Sequence, residues 1–592
     1  MDQVIKAKKM DPMGWPRKPS DGRGLRVLFI NPPSVPYNAL VRSFKSERPS
    51  LTQTIAMPMG ILYLAATLER DLPGIQIQIL DLAKLYRLAC DRGPLGFPSF
   101  ESFVDHTLEE EVKFVPNLIG VSILFSTAHK SSLRIAEACK RKWPTAPVAM
   151  GGMHATNAVE ALLGNPAVDF VCRGEGEFVI SDLVLTTNQS LPGIIGRDDL
   201  ARTGSVPLIY SLDSIPYPAW HLLPMHEYVF SETSRARSID RIEQDGEATI
   251  VTTRGCPYHC TFCASWTVHG REMRYRSTEN VLGELRVLHD RYSVTTLIPE
   301  DDLFSVKKPR FLELCNAIST EFKRQLHFQF PNGLSVATLD AEVIAAMARM
   351  GMSVANIAIE SGSNEVQRRV IKKNVNLDRA RRVVSDCRQQ GIFTRVYFIL
   401  GFPSEPLAQM QETVDFAKSL PADWCVFNVA APLVGTEMYS QLLQRGEIDE
   451  NFNWDDAFFH ERTFDTPEIG AQALKDFAYE ANLRINFFGN YNLQNGEYDR
   501  AMKIFYDILK AYPGHLAAQW CIGEALRRSG REAEAEAAFK KAKKFIDIEA
   551  PLAMEQVGRF PHFFPWANKF ISELAPAHGP RPGMPTAARA TV

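Results

Sequence analysis

The run Arg254-Gly-Cys-Pro-Tyr-His-Cys-Thr-Phe-Cys263 puts Cys256, Cys260 and Cys263 on one short loop, spaced C-x3-C-x2-C, with the aromatic Phe262 just ahead of the last cysteine. The loop follows the apolar stretch Ala248–Thr253, which reads as a buried strand. Iron–sulfur clusters are held by Cys thiolates, and three thiolates can hold three irons of a cubane and leave the fourth open to a cofactor. The competing reading is a zinc site or three buried thiols. Structural zinc closes with four ligands, usually as two separated pairs. The other seven of the ten cysteines (Cys90, Cys139, Cys172, Cys315, Cys387, Cys425 and Cys521) stand singly, and neither His259 nor His269 gives paired spacing.

Downstream, apolar runs recur at Thr295–Pro299, Leu326–Phe330, Val354–Ile359, Thr394–Leu400 and Trp424–Ala430. Helical periodicity fills the gaps, as in Glu279–Tyr292, Asp340–Arg349 and Asn376–Gln390. Six strand–helix units predict an open, partial (β/α)6 barrel over residues 246–480, with chemistry gathered at the carboxyl ends of its strands. Polar residues stand at three of those ends: Pro299-Glu-Asp-Asp302, Glu360-Ser-Gly362 and Gly401-Phe-Pro-Ser-Glu405. Each alone reads as a helix cap or first-turn acid, which suits Asp302 and Ser361. Together at one barrel mouth they read as acceptors for an ammonium group and hydroxyls. Tyr397 and Cys425 fall on strands and read as packing residues.

Upstream, Leu25–Ile30, Ile75–Leu80, Leu118–Leu124, Pro147–Met150 and Val168–Cys172 alternate with helical stretches such as Met59–Arg70 and Ser131–Trp143. The alternation predicts a doubly wound, Rossmann-like parallel sheet over residues 24–190, after an N-terminal extension of residues 1–23. Its strand ends carry Ser122-Ile-Leu124, Gly151-Gly152 and Arg173-Gly-Glu-Gly-Glu177. Glycine there lets a ligand approach the backbone, although an isolated Gly-Gly also makes a tight turn. Residues 191–245 are dense in proline and read as an extended linker.

The cysteine motif, with Phe262 in the aromatic place, resembles that of radical S-adenosylmethionine (SAM) enzymes. The resemblance implies a 4Fe–4S cluster on the three cysteines and SAM on the open iron, cleaved to a 5′-deoxyadenosyl radical. It implies that Glu300, Asp301 and Asp302 lie near the methionyl amine, Glu360 and Ser361 near the ribose or carboxylate, and Gly401 to Glu405 near the adenine. Ser122-x-Leu124 followed by Gly151-Gly152 is similar to the last two parts of the DxHxxG, SxL and GG series of cobalamin-binding domains. The first part is missing: Asn31-Pro-Pro-Ser34 follows the first strand and offers no histidine to cobalt. The resemblance places Ser122, Leu124, Gly151, Gly152, Gly174 and Glu175 against cobalamin, while His154 reads as a helix start.

Near the carboxyl end Gly489, Gly496, Ala501 and Phe505 recur as Gly523, Gly530, Ala535 and Phe539, each offset by 34 residues. That period resembles tetratricopeptide repeats over residues 482–549. Two units are too few to bury a continuous core alone, so they are expected to pack on the barrel or take a protein partner. The tail, residues 550–592, turns aromatic and then rich in Pro, Ala and Gly, a composition that reads as disordered.

A net charge of −3 over 592 residues gives no basic field for nucleic acid. The N-terminus has no apolar core for a signal peptide, no run approaches a membrane span, and unpatterned cysteines suit a reducing compartment. A soluble cytoplasmic enzyme is expected, acting on a small molecule with an electron donor of flavodoxin or ferredoxin type. The resemblance implies methyl transfer to an unactivated centre through cobalamin. Two other readings remain open: a radical enzyme that cyclises, rearranges or hydroxylates, and a non-catalytic cluster-bearing scaffold or redox sensor.

Overall fold

β1 (Arg26–Asn31), β2 (Gln76–Asp81), β3 (Leu118–Ser122), β4 (Val148–Gly151), β5 (Phe170–Cys172) and β6 (Ile194–Gly196) form the first sheet, in the order 2-1-3-4-5-6. The structure is a computed structural model and describes residues 20–37, 39, 55–91, 96–187, 191–200, 206–230 and 246–567. Most of the expected extension and all of the tail beyond residue 567 lie outside the described residues.

The first five strands pair in parallel, and the apolar runs of β1, β3 and β4 are buried at nearly every position, as in a sheet covered on both faces. β6 departs from the parallel expectation. It pairs antiparallel to β5 at the sheet edge, from sequence expected to be linker. Described residues 209–219 of the proline-rich stretch also pack rather than stand as a free connector. Ile209, Leu212, Ile215 and Ala219 are buried in the same core as Ile61, Tyr63 and Leu68 of the helix Met59–Asp71. Prolines remove backbone donors, but apolar residues every three or four positions still give the segment a face to bury.

β7 (Glu247–Ile250), β10 (Thr296–Pro299), β11 (His327–Gln329), β13 (Met352–Glu360), β14 (Phe393–Leu400) and β15 (Trp424–Val429) form the second sheet, all parallel and in chain order from one edge to the other. Parallel strands in sequential order need a helical crossover at each step, and the general right-handed rule puts such crossovers on one face, the topology that curls a sheet toward a barrel. Those helices start where capping demands. Ser277, Asp340 and Asn376 each accept a backbone N–H of the first turn. β12 (Leu334–Ser335) adds to β13 off the main path, and β8 (Thr253–Arg254) pairs antiparallel with β9 (Arg274–Tyr275) as a separate ribbon. The expected single strand Ala248–Thr253 thus ends early and gives its last residue to the ribbon that flanks the cysteine loop.

The chain divides into two units, Met1–Ala478 and Tyr479–Val592. Both sheets belong to the first. The second is helical, and its helices Tyr498–Ala511 and Glu532–Asp547 begin 34 residues apart (532 − 498). Gly496 and Gly530 precede them with φ of +82° and +79°. Ala501 and Ala535 are buried, and the Phe539 ring lies 2.5 Å from where a Cβ on Gly523 would be, so the recurring small residues mark close helix approach. Among the described residues no helix is long and apolar enough to cross a membrane.

Candidate active site

The cysteine loop begins at the carboxyl end of β7 and is pinned from three sides. The Cys256 N–H donates to Gly270 O at 3.2 Å. Gly255 has φ +99°, and a Cβ there would stand 2.2 Å from Glu272 O, so only glycine admits this turn. Thr261, between the second and third cysteines, donates its N–H to Ile371 O (3.1 Å) and its hydroxyl to Val370 O (2.9 Å), and its carbonyl accepts the Met438 N–H (2.8 Å).

Burial pushes the Cys260 thiol up to about 12 and Cys263 up to about 11, and it raises Cys256 as well. The charges of the three also act on one another, which places them in one group. Such thiols ionise only where a bound cation offsets the charge. Among the described residues no three His, Cys, Asp or Glu side chains converge as one metal ion requires. Thiolates on separate corners of a cluster need no such convergence, and the donor set fits one.

The acidic strand ends divide by role. Asp302 accepts from Ser265 Oγ at 2.5 Å, while its Oδ2 is buried without a hydrogen-bond partner and its charge acts on Cys256 and Cys263. A buried, unpartnered carboxylate oxygen beside the cysteines fits an ammonium ligand. Glu300 accepts from Asn332 Nδ2 at 2.5 Å. Glu360 ends β13 with φ +71°, next to a register shift, and accepts from Lys373 Nζ at 2.8 Å. Bulged strand ends of this kind re-aim a side chain at a site.

Four expected contacts are engaged elsewhere. Asp301 turns inward, accepting the N–H and hydroxyl of Thr252, both at 2.9 Å, and burial raises it to about 6. Ser361 is fully buried, accepts the Ser363 N–H and meets Thr413 Oγ1, which makes it a turn-building hydroxyl. The Phe262 ring packs 5.7 Å from that of Phe402, centroid to centroid. Gly401 and Phe402 donate their N–H groups to Glu405 Oε2 at 2.8 and 3.0 Å, so Glu405 closes its own turn. Lys373 had no sequence signal beyond a Lys-Lys pair, yet its charge acts on Cys256 and Cys260.

The strand order of the first sheet reverses between β1 and β3, and ligands of such sheets bind outside the carboxyl ends at that point. Ser122 and Gly151 are register partners at the ends of β3 and β4. Leu124 and Phe125 follow, large apolar residues 53% and 40% exposed. A Cβ on Gly151 would meet only ordinary contacts with Cys172 at 3.7 Å or more, so protein packing does not require this glycine. Gly152 differs. Its φ is +104° and a Cβ would stand 2.6 Å from Ile123 O, a demand of the turn itself.

Gly174 and Glu175 correct the expectation of a ligand contact. A Cβ on Gly174 would strike Val206, so its glycine serves chain packing. Glu175 is buried and meets Arg274 with two hydrogen bonds of 2.7 and 2.8 Å, and Arg254 at 3.4 Å, which hold its carboxyl far below the usual range. His154 lies in the helix Met153–Asn157, as expected. It is buried against His129 (2.9 Å) and Ser126 Oγ (3.1 Å), and burial pushes it down to about 3.

Residues 250–417 match the model of the radical SAM superfamily, and residues 52–184 that of the B12 binding domain. The chain is 28% identical over 526 residues to the cytidylyl-2-hydroxyethylphosphonate methyltransferase of Streptomyces wedmorensis, an alignment covering 82% of this chain and 92% of that protein. It is 28% identical over 441 residues to an uncharacterized methyltransferase of Pyrococcus horikoshii, covering 73% and 85%. The structure of the radical S-adenosylmethionine methyltransferase TsrM from Kitasatospora setae, with cobalamin and a 4Fe–4S cluster bound, superposes with a TM-score of 0.52 at 19% identity over 72% of this chain and 75% of that one, a likeness of fold.

Proposed function

We propose that this chain, a cobalamin-binding radical SAM enzyme with the B12-binding domain first, is a methyltransferase that places a methyl group on an unactivated centre of a small biosynthetic intermediate. One observation carries the reading. The cysteine loop and the strand ends at the reversal point, with a Gly151 that packing does not require, belong to the same compact unit. When bound, the cluster supplies the electron that cleaves SAM, and cobalamin supplies the methyl carrier.

In this reading Cys256, Cys260 and Cys263 are the cluster ligands. The unpartnered Oδ2 of Asp302 accepts from the methionyl amine, with Glu300 and the Lys373–Glu360 pair beside it. The Gly401–Glu405 turn lies near the adenine. Ser122, Leu124, Gly151 and Gly152 line the corrin site, whose cobalt receives no histidine from the loop after β1. A flavodoxin- or ferredoxin-type protein returns the electron, and the helices after residue 482 are tetratricopeptide-like repeats that receive a protein partner.

Incubating anaerobically reconstituted enzyme and a candidate substrate with methyl-labelled SAM is expected to put label in the product. Product without label returns the assignment to cyclisation, rearrangement or hydroxylation. A separate pair of variants tests the corrin site. Gly152→Ala strains a turn and is expected to cost about 1–3 kcal/mol of stability. Gly151→Val adds a Cβ that touches Cys172 only at ordinary contact distances of 3.7 and 3.8 Å, so it should leave the unfolding midpoint near wild type while the cobalamin retained on purification falls severalfold. Equal cobalamin in Gly151→Val and wild type counts against the crevice as the site.

A further inference from the structure

We propose that Glu175 and Asn157 are positioning residues that fix the separation between the mouth of the first sheet and the cysteine loop, acting through the short helix Trp266–His269. The inference rests on the two-cofactor reading above.

That helix has four residues and starts three positions after Cys263, so it cannot hold its place by its own hydrogen bonds. Two loops of the first sheet hold it instead. Asn157, which ends the helix after Gly151-Gly152, donates from Nδ2 to Thr267 Oγ1 at 2.9 Å. Its Oδ1 lies 2.1 Å from where a Cβ on Gly435 would be, and Gly435 has φ +85°, so the loop after β15 closes on the same side chain.

Glu175, which follows Gly174 after β5, lies 3.2 Å from His269 Nδ1 and pairs with both Nη atoms of Arg274. Arg274 also donates to His269 O at 2.7 Å. Arg254, two residues before Cys256, donates to Glu177 Oε1 at 2.5 Å, and its guanidinium lies over the Tyr63 ring at 5.5 Å. The cysteine loop is therefore clamped at both ends to the two glycine-bearing loops of the other sheet.

The charged side chains here are nearly all buried, with side-chain exposures of 0% for Glu175, 2% for Arg274 and 7% for Arg254 and Glu177. Buried ion pairs add little stability over apolar packing of the same shape. What a two-point Arg–carboxylate contact does add is direction, since the planar fork fixes distance and angle together. A radical generated at one site must meet a methyl carrier at the other, and misplacement of about 1 Å costs roughly 100-fold in rate. That requirement accounts for an ionic clamp where an apolar one would be as stable.

The test uses the full chain, reconstituted with cluster and loaded with aquacobalamin, then reduced so that cluster and cob(II)alamin are both paramagnetic. Their dipolar coupling by pulsed EPR reports the separation and its spread. Wild type is expected to give one narrow distribution. Glu175→Gln and Asn157→Ala should each widen it at least twofold, or shift its centre. Asp423→Asn is the control, because it breaks buried bonds to Thr394 and Arg388 at the opposite end of β14 and β15 and should lower stability with the separation unchanged. If Glu175→Gln does not fold, Thr267→Val removes the Asn157 hydrogen bond, together with the donation of Thr267 Oγ1 to Ala264 O, and carries the same readout. Both signals present with wild-type distributions in the variants overturn the inference alone. Absence of either signal in wild type overturns the cofactor reading and this inference with it.

Discussion

Alanine at any one of Cys256, Cys260 or Cys263 is expected to remove the cluster and reduce 5′-deoxyadenosine formation to background. The loop offers three thiolates and no fourth, so losing one leaves a second iron without a protein ligand. The loss is compounded by burial, because thiols raised to about 11 and about 12 take their protons back once the metal charge is gone. Cys425→Ala makes the comparison clean. Cys425 is a buried strand thiol, also pushed up to about 12, and its replacement should cost stability and keep the iron. Phe262→Leu should likewise keep the cluster, since the ring packs on Phe402. Iron and sulfide per chain, read beside deoxyadenosine, decide the matter. A cysteine variant with full iron and undiminished cleavage would remove the basis of the assignment.

The strands and the loop that bears the cysteines follow from local pattern, because apolar runs between turn residues need only their own neighbours in sequence to be recognised. The polar strand ends were visible in the same way, as residue types at strand boundaries. Their partners were not. Asp301 reads identically to Asp302 in sequence, yet in the loop after β10 it turns toward Thr252 while Asp302 meets Ser265 beside the cysteines. Glu175 stands in a glycine loop that suggests a ligand, and only the fold brings Arg254 and Arg274 onto it from about 80 to 100 residues away. The proline-rich stretch misled for a related reason. Proline density marks lost helix, but Ile209, Leu212, Ile215 and Ala219 find their core only once the helix Met59–Asp71 is in place. Long-range pairing of charges and of apolar faces leaves no local trace.

Glu405→Gln is expected to abolish a pH-dependent loss of stability that wild type shows across neutrality. Burial raises the Glu405 carboxyl from 4.5 to about 8, against the pull of the Gly401 and Phe402 N–H groups on Oε2. The folded chain therefore holds a proton that the unfolded chain releases above pH 4.5. With more protons bound folded than unfolded, stability falls as pH rises through this window and levels off above the folded value. The shift is equivalent to about 5 kcal/mol over the whole window. Glutamine offers one carbonyl oxygen to the same two N–H groups and carries no charge at any pH, so it mimics the protonated acid. The difference in apparent unfolding free energy between variant and wild type should thus be small near pH 5, grow toward pH 9 in favour of the variant, and then flatten. A difference constant from pH 5 to 9 would mean that the two N–H donors, not burial, set the charge of this turn. SAM binding retained by the variant would identify Glu405 as the residue that shapes the turn.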